Sequence, residues 1–131
     1  LRVVFDTNIF ISALALPGGQ AEKAIDAILD GKASLIISKP ILEELLRVLA
    51  EKFARDAEAL SRTALFISSI SETVKPRKKL SVLKDEPDNR ILECALSGKA
   101  DAIVTGDKAM LALEEYKGVK IISLKEFLKN L

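Results

Sequence analysis

Short uninterrupted apolar runs alternate with longer stretches of helical period along this chain. Val3-Val4-Phe5, Leu35-Ile36-Ile37 and Ala102-Ile103-Val104 are the clearest runs, and their content of β-branched residues predicts strands buried on both faces. Ile9 to Leu16 predicts a short buried helix stopped by Pro17-Gly18-Gly19. Ala21, Ala24, Ile25, Ile28 and Leu29 mark a longer amphipathic helix that ends at Gly31. Pro40 suits the first turn of a helix carrying Ile41, Leu42, Leu45, Leu46, Leu49 and Phe53. A further helix is predicted from Asp56 to Ile70, then a brief edge strand at Thr73-Val74. Pro87 opens a helix through Leu92, Ala95 and Leu96 that Gly98 closes. The last third predicts a helix from Lys108 to Tyr116, a strand from Val119 to Ile122 after Gly118, and a helix from Leu124 to Leu131.

Non-alternating strands interleaved with helices predict an α/β fold with a mainly parallel central sheet flanked by helices in three layers. At 131 residues without repeats or low-complexity segments, residues 1–131 are expected to form one domain. Open sheets of this kind bind ligands at the carboxyl ends of their strands. Asp6, Ser38 and Thr105-Gly106-Asp107 each follow a predicted strand directly, so the sheet would gather them at one edge.

Composition removes whole classes of chemistry. There is no His and one Cys, Cys94, so the chain cannot assemble a Ser-His-Asp triad, a Cys-His pair, a His/Cys zinc site or an internal disulfide. Cys94 lies on an apolar helix face and reads as a small core residue. Hydrolysis would therefore rest on carboxylates, lysines or hydroxyls. The chain is 49% hydrophobic and 30% charged, with 20 Lys+Arg against 19 Asp+Glu, so it lacks the overall basicity of many nucleic-acid binders. No apolar run is long enough for a membrane span, and the start lacks the pattern of a secretory signal, so a cytoplasmic location is expected. Leu1 in place of an initiator Met suggests that the natural start lies slightly upstream.

The acids have structural accounts as well as chemical ones. Asp6 and Asp107 each precede a helix and could serve as caps, as could Thr7, Asn8 and Thr105. The chemical role of Thr7, Asn8 and Thr105 would be to orient carboxylates or a bound water by hydrogen bonding. Glu43 has Lys39 at i−4 and Arg47 at i+4 and is accounted for by surface ion pairs, whereas Glu44 has only Arg47 at i+3. That difference favours Glu44 for chemistry. Asp85, Glu86 and Asp88 surround Pro87 at a helix start, where the helix dipole favours negative charge in any protein.

Carboxylates brought together repel one another and raise their own pKa values unless a cation neutralises them. Hard oxygen ligands suit Mg²⁺ or Mn²⁺, and one or two such ions would support in-line displacement at a phosphate. The reaction class implied is phosphodiester hydrolysis. Lys75, Arg77, Lys78 and Lys79 form a basic loop that is either solvated or in contact with a nucleic-acid backbone. A receiver-like phosphoacceptor is the weaker reading, because Asp6 is flanked by Phe5 and Thr7 instead of a second acid.

Four segments together resemble the PIN-domain family: Val-Val-Phe-Asp-Thr-Asn at the start, Ser38-Lys-Pro-Ile-Leu-Glu-Glu-Leu, Asp88-Asn-Arg-Ile-Leu-Glu-Cys-Ala, and Ala-Asp-Ala-Ile-Val-Thr-Gly-Asp. Their order and spacing carry the resemblance, since Asp-Thr-Asn or Thr-Gly-Asp alone is weak. It implies that Asp6, Glu44, Asp88 and Asp107 are catalytic and metal-binding acids, with Thr7, Asn8, Ser38, Asn89 and Thr105 supporting them. It further implies a VapC-like toxin, an Mg²⁺- or Mn²⁺-dependent endoribonuclease that cuts RNA until a small antitoxin protein blocks it. A homodimer is plausible for a chain this small with apolar helices. The competing expectation is a non-catalytic module that binds RNA or a protein through the same pocket. The family often has further acids at the third position, so Asp85 or Glu86 could share the role of Asp88.

Overall fold

In a computed structural model that describes residues 1–131, six strands form one sheet. They are β1 (Arg2–Phe5), β2 (Ser34–Ser38), β3 (Ser71–Val74), β4 (Ala102–Val104), β5 (Glu115–Tyr116) and β6 (Val119–Ile122), in the spatial order β3-β2-β1-β4-β6-β5. All pairings are parallel except β5 with β6. Strand order reverses at β1, which has β2 on one side and β4 on the other. Val3, Val4 and Phe5 are all fully buried although successive side chains point to opposite faces, so both faces of the sheet are covered.

The helices are α1 (Thr7–Ala15), α2 (Gln20–Leu29), α3 (Lys39–Phe53), α4 (Ala57–Ile70), α5 (Glu86–Ser97), α6 (Lys108–Leu111) and α7 (Leu124–Lys129). Phe5 meets Phe10 of α1 at 5.7 Å between ring centroids and Phe127 of α7 at 5.6 Å, edge on. These contacts tie the first and last helices to the central strand. The expected α/β fold, with its mainly parallel sheet between helical layers, is what forms. No helix is long and apolar enough to cross a membrane.

Two local expectations need correction. The helix predicted from Lys108 to Tyr116 stops at Leu111, and Glu115–Tyr116 instead pairs antiparallel with β6. Lys117 (φ 47°) and Gly118 (φ 87°) are both left-handed, as a two-residue type I′ hairpin requires. That turn returns the chain onto β6, and pairing there satisfies backbone groups that a longer helix would have carried over the edge of the sheet.

Gly98 follows α5 but does not act as a left-handed stop: its φ is −85°, and Lys99 takes the positive φ of 51°. A Cβ at Gly98 would lie 2.6 Å from Ile36 Cγ2, so the glycine is required for the close approach of α5 to β2.

Candidate active site

The parallel register places Asp6, Ser38 and Thr105 at the same edge of the sheet, the carboxyl ends of β1, β2 and β4. The Asp6 amide donates to the Val104 carbonyl at 2.9 Å, which fixes β1 against β4 at the point where the chain leaves the sheet. Asp6 occupies the N-cap position of α1 yet makes no side-chain capping bond. Its Oδ2 instead accepts from the buried Thr105 hydroxyl at 2.6 Å, while Thr105 Oγ1 accepts the Asp107 amide at 3.0 Å. Capping does account for one oxygen of Asp107, whose Oδ1 accepts the Ala109 amide at 3.0 Å at the start of α6. Its other oxygen takes no part in the cap.

Asp88 comes to this edge on the first turn of α5 and is buried there. Its carboxyl is pushed up to about 7, first by burial, then by hydrogen bonding to the Asp107 carboxyl and by the charges of Asp107, Asp6 and Asp85. Burial also raises Asp6, with the Asp107 charge adding to it and the Thr105 hydroxyl opposing it. These are groups held in a shared, negatively charged space.

That space is a cavity of about 170 Å³ lined by Asp6, Glu44, Asp85, Asp88 and Asp107, with Lys52 as its one cation. Thr7 and Asn8 also line it. Hard carboxylate oxygens in this number suit Mg²⁺ or Mn²⁺, and the upward push on Asp88 reports negative charge that such an ion would offset. No three of the carboxylates yet converge on a single coordination point. The donor chemistry is the hard-oxygen kind that a divalent ion takes, and the carboxylates as they stand line the cavity without forming its coordination site.

Residues 2–109 match the PIN domain family. The chain belongs to that family. It is 33% identical over 142 aligned positions to the uncharacterized protein MJ1680 of Methanocaldococcus jannaschii, covering 99% of this chain and 91% of that protein. In fold it is similar to a structure of VapBC-1 from nontypeable Haemophilus influenzae, with a TM-score of 0.68, 15% identity, and coverage of 95% of this chain and 99% of that one. It is likewise similar to VapBC2 from Rickettsia felis bound to a DNA fragment from their promoter, with a TM-score of 0.64, 16% identity, and coverage of 94% and 98%.

Within this PIN domain α3 presents Glu44, Val48 and Lys52 along one stripe to the cavity. Glu43 is exposed and does not line it. The ion pairing expected of Glu43 is not formed: Arg47 instead grips both oxygens of Glu44, at 2.8 and 2.9 Å from Nη2, and reaches Glu51 at 2.9 Å. Glu44 also lines an adjoining hollow of about 190 Å³ that contains Glu86. Asp85 and Glu86 thus separate: Asp85 faces the acidic cavity, and Glu86 faces the adjoining hollow and pairs with Arg90 at 3.2 Å.

Not every expected supporting residue reaches the cavity. Ser38 is fully buried, its Oγ lacks a well-formed hydrogen bond, and it lies against the Cys94 thiol, which burial pushes up to about 12. Asn89 is also fully buried and works at one remove. Its Oδ1 accepts the amides of Val82 and Leu83 at 3.0 and 2.8 Å, and its Nδ2 donates to the Leu83 carbonyl at 2.8 Å. Asn89 thereby shapes the loop that delivers Asp85.

The basic run stands apart from the acids. Lys75, Arg77 and Lys78 line a different groove, of about 330 Å³, that shares no residue with the acidic cavity, and the exposed Lys79 lines neither. Sequence reasoning missed Lys52, although its spacing of eight from Glu44 was an available signal. It also missed Glu93, a buried acid that pairs with Arg90 on the same helix. The largest hollow, about 590 Å³ beside α2 and α7, is lined by exposed lysines and aspartates and gathers no buried polar group. Size does not pick out the chemistry here.

Proposed function

We propose that this PIN domain is a metal-dependent endoribonuclease that hydrolyses RNA phosphodiester bonds at the acidic cavity. The observation that carries this reading is the meeting of Asp6, Glu44, Asp88 and Asp107 in one hollow at the carboxyl edge of the sheet. In this reading the four carboxylates hold one or two Mg²⁺ or Mn²⁺ ions. A bound divalent ion would supply Lewis acidity toward water and phosphate and offset charge that builds during displacement. Thr105 holds Asp6 in a fixed rotamer by its 2.6 Å hydrogen bond and couples it to the Asp107 backbone. Asp88, pushed up to about 7 by burial and by its acidic neighbours in the metal-free site, would give up its proton on taking part in metal binding, so ion binding and ionisation of Asp88 would be linked. Thr7 and Asn8 supply polar groups at the cavity wall, and Lys52 offers a cation to a phosphate oxygen.

The likeness to VapBC structures supports a toxin role in the cytoplasm, with a small antitoxin protein as partner. Two copies of the chain could associate through exposed apolar residues such as Leu65 and Phe66 on α4.

The test is incubation of purified protein with single-stranded and structured RNAs in Mg²⁺, Mn²⁺ or chelator. Cleavage that requires metal and is lost in Asp6→Asn is expected; cleavage that persists in chelator or survives that substitution counts against the mechanism. A non-catalytic module is the second reading, favoured by the clamp of Arg47 on Glu44 and the lack of a closed coordination point. RNA binding with no Mn²⁺ binding by calorimetry would select it.

A further inference from the structure

The groove that holds the basic run is a second charged site, opposite in sign to the first. Lys75, Arg77 and Lys78 line it from the loop after β3, and Lys117 lines it from the β5–β6 hairpin. None of these four cations takes part in an ion pair. The acid in the groove, Glu93, has its charge met by Arg90, which pairs with its Oε2 at 2.8 Å, and the same oxygen accepts the Leu80 amide at 2.7 Å. Four unpaired cations thus face one concave space in a chain whose net charge is only +1. Concentration of one sign in a concave space focuses the field and attracts a polyanion.

The loop that carries the cations is fastened to α5. Glu93 receives the Leu80 amide, Arg90 donates to the Leu80 carbonyl at 3.1 Å, and Asn89 holds Val82 and Leu83. The same helix bears Asp88 in the acidic cavity, so α5 sets the separation of the two sites. From Asp88 to Glu93 and Ser97, which line the groove, is roughly 8 to 14 Å along the axis at about 1.5 Å per residue, and because these residues face other sides of α5 the path between the sites is longer than that. A stacked strand at roughly 3.4 Å per nucleotide needs at least about two to four nucleotides to cover that path.

We propose that this groove binds the phosphodiester backbone of an RNA strand several nucleotides from the bond presented to the acidic cavity. The inference rests on the nuclease reading for the second half of that statement and on the groove itself for the first. The ligand is recognised by phosphate charge, so it carries no base preference and is salt-sensitive.

The experiment measures fluorescence anisotropy of labelled oligoribonucleotides of 3 and 12 nucleotides, in chelator, across a salt titration. It compares the unaltered protein with K75A/K78A/K117A and with K78E. Loss of about tenfold or more in 12-mer affinity and a fall of about two in the salt slope are expected for the triple variant. The 3-mer, which carries fewer phosphates, is expected to bind more weakly, and what binding it shows in chelator is expected to depend on the same lysines. Circular dichroism melting and Mn²⁺ titration are expected to match the unaltered protein, which separates loss of a contact from loss of the fold. Unchanged 12-mer affinity and salt slope in both variants would overturn the proposal. So would an oligoglutamate peptide whose binding depends on these lysines while RNA binding does not. Groove-dependent RNA binding by a protein that never cleaves would leave the groove standing and remove the nuclease reading. Metal-dependent cleavage with lysine-independent binding would do the reverse.

Discussion

The Thr105 hydroxyl donates to Asp6 Oδ2 at 2.6 Å, joining two residues 99 positions apart in the chain. The same oxygen accepts the Asp107 amide, so one buried hydroxyl sets the relation between two carboxylates. Removing it by Thr105→Val leaves the Asp6 oxygen and the Asp107 amide without that partner. RNA cleavage at saturating Mn²⁺ is expected to fall by about 10- to 100-fold. Thr105→Ser, which restores the hydroxyl, is expected to recover most of the rate. Because Ser keeps the hydroxyl and Val keeps the methyl group, equal losses in both variants would show that the hydrogen bond alone does not set the rate.

Stability should depend on pH through Asp88. An unfolded Asp titrates near about 3.9, whereas burial and neighbouring acids push the folded Asp88 up to about 7. The folded state therefore holds this proton more tightly. The stabilisation is full below the unfolded value and is lost as pH rises through 7. Without metal, Tm is expected to be higher at pH 5 than at pH 8, by about 1 kcal/mol after solvent screening, or roughly 4 °C. Asp88→Asn should flatten the difference. Added Mn²⁺ should raise Tm most at pH 8, where the carboxylates are ionised.

Arg47 competes with any cation for Glu44. Arg47→Ala frees both Glu44 oxygens, and Mn²⁺ affinity by calorimetry is expected to rise about two- to fivefold, the range an exposed ion pair represents. A fall in affinity would show that the clamp helps to orient Glu44 and does not withhold it.

Lys52 is the cation of the acidic cavity. Lys52→Ala is expected to weaken RNA binding by about tenfold, as loss of a charge-assisted phosphate contact would, with Lys52→Arg retaining most of it. Unchanged affinity in Lys52→Ala would assign the residue to solvent.

Gly98→Ala forces a Cβ to within 2.6 Å of Ile36 Cγ2, inside the core. Denaturant melts are expected to show a loss of about 1–3 kcal/mol. Lys99→Gly relieves a left-handed non-glycine residue and is expected to gain up to about 1 kcal/mol.

The sequence alone determined five of the six strands, most of the helices and the arrival of Asp6, Ser38 and Asp107 at the end of a strand. These follow from local periodicity and from the rule that parallel strands share one carboxyl edge. The hairpin at Lys117-Gly118 was legible in principle as a turn signal, but the helical spacing of the residues before it concealed the short strand. Tertiary structure alone decided the rest. Whether Glu43 or Glu44 faces the cavity depends on how α3 is rotated against its neighbours, and both lie beside its apolar stripe. Asp85 and Glu86 are adjacent in sequence, yet the loop held by Asn89 turns them into different hollows. The basic run read either as a solvated loop or as a nucleic-acid contact, because charge in a sequence has sign but no position. Its attachment to α5 through Glu93 and Arg90 places it on a groove of its own. Thr105 was legible as a capping residue or turn former, but its bond to Asp6 across the sheet exists only once β1 and β4 are paired.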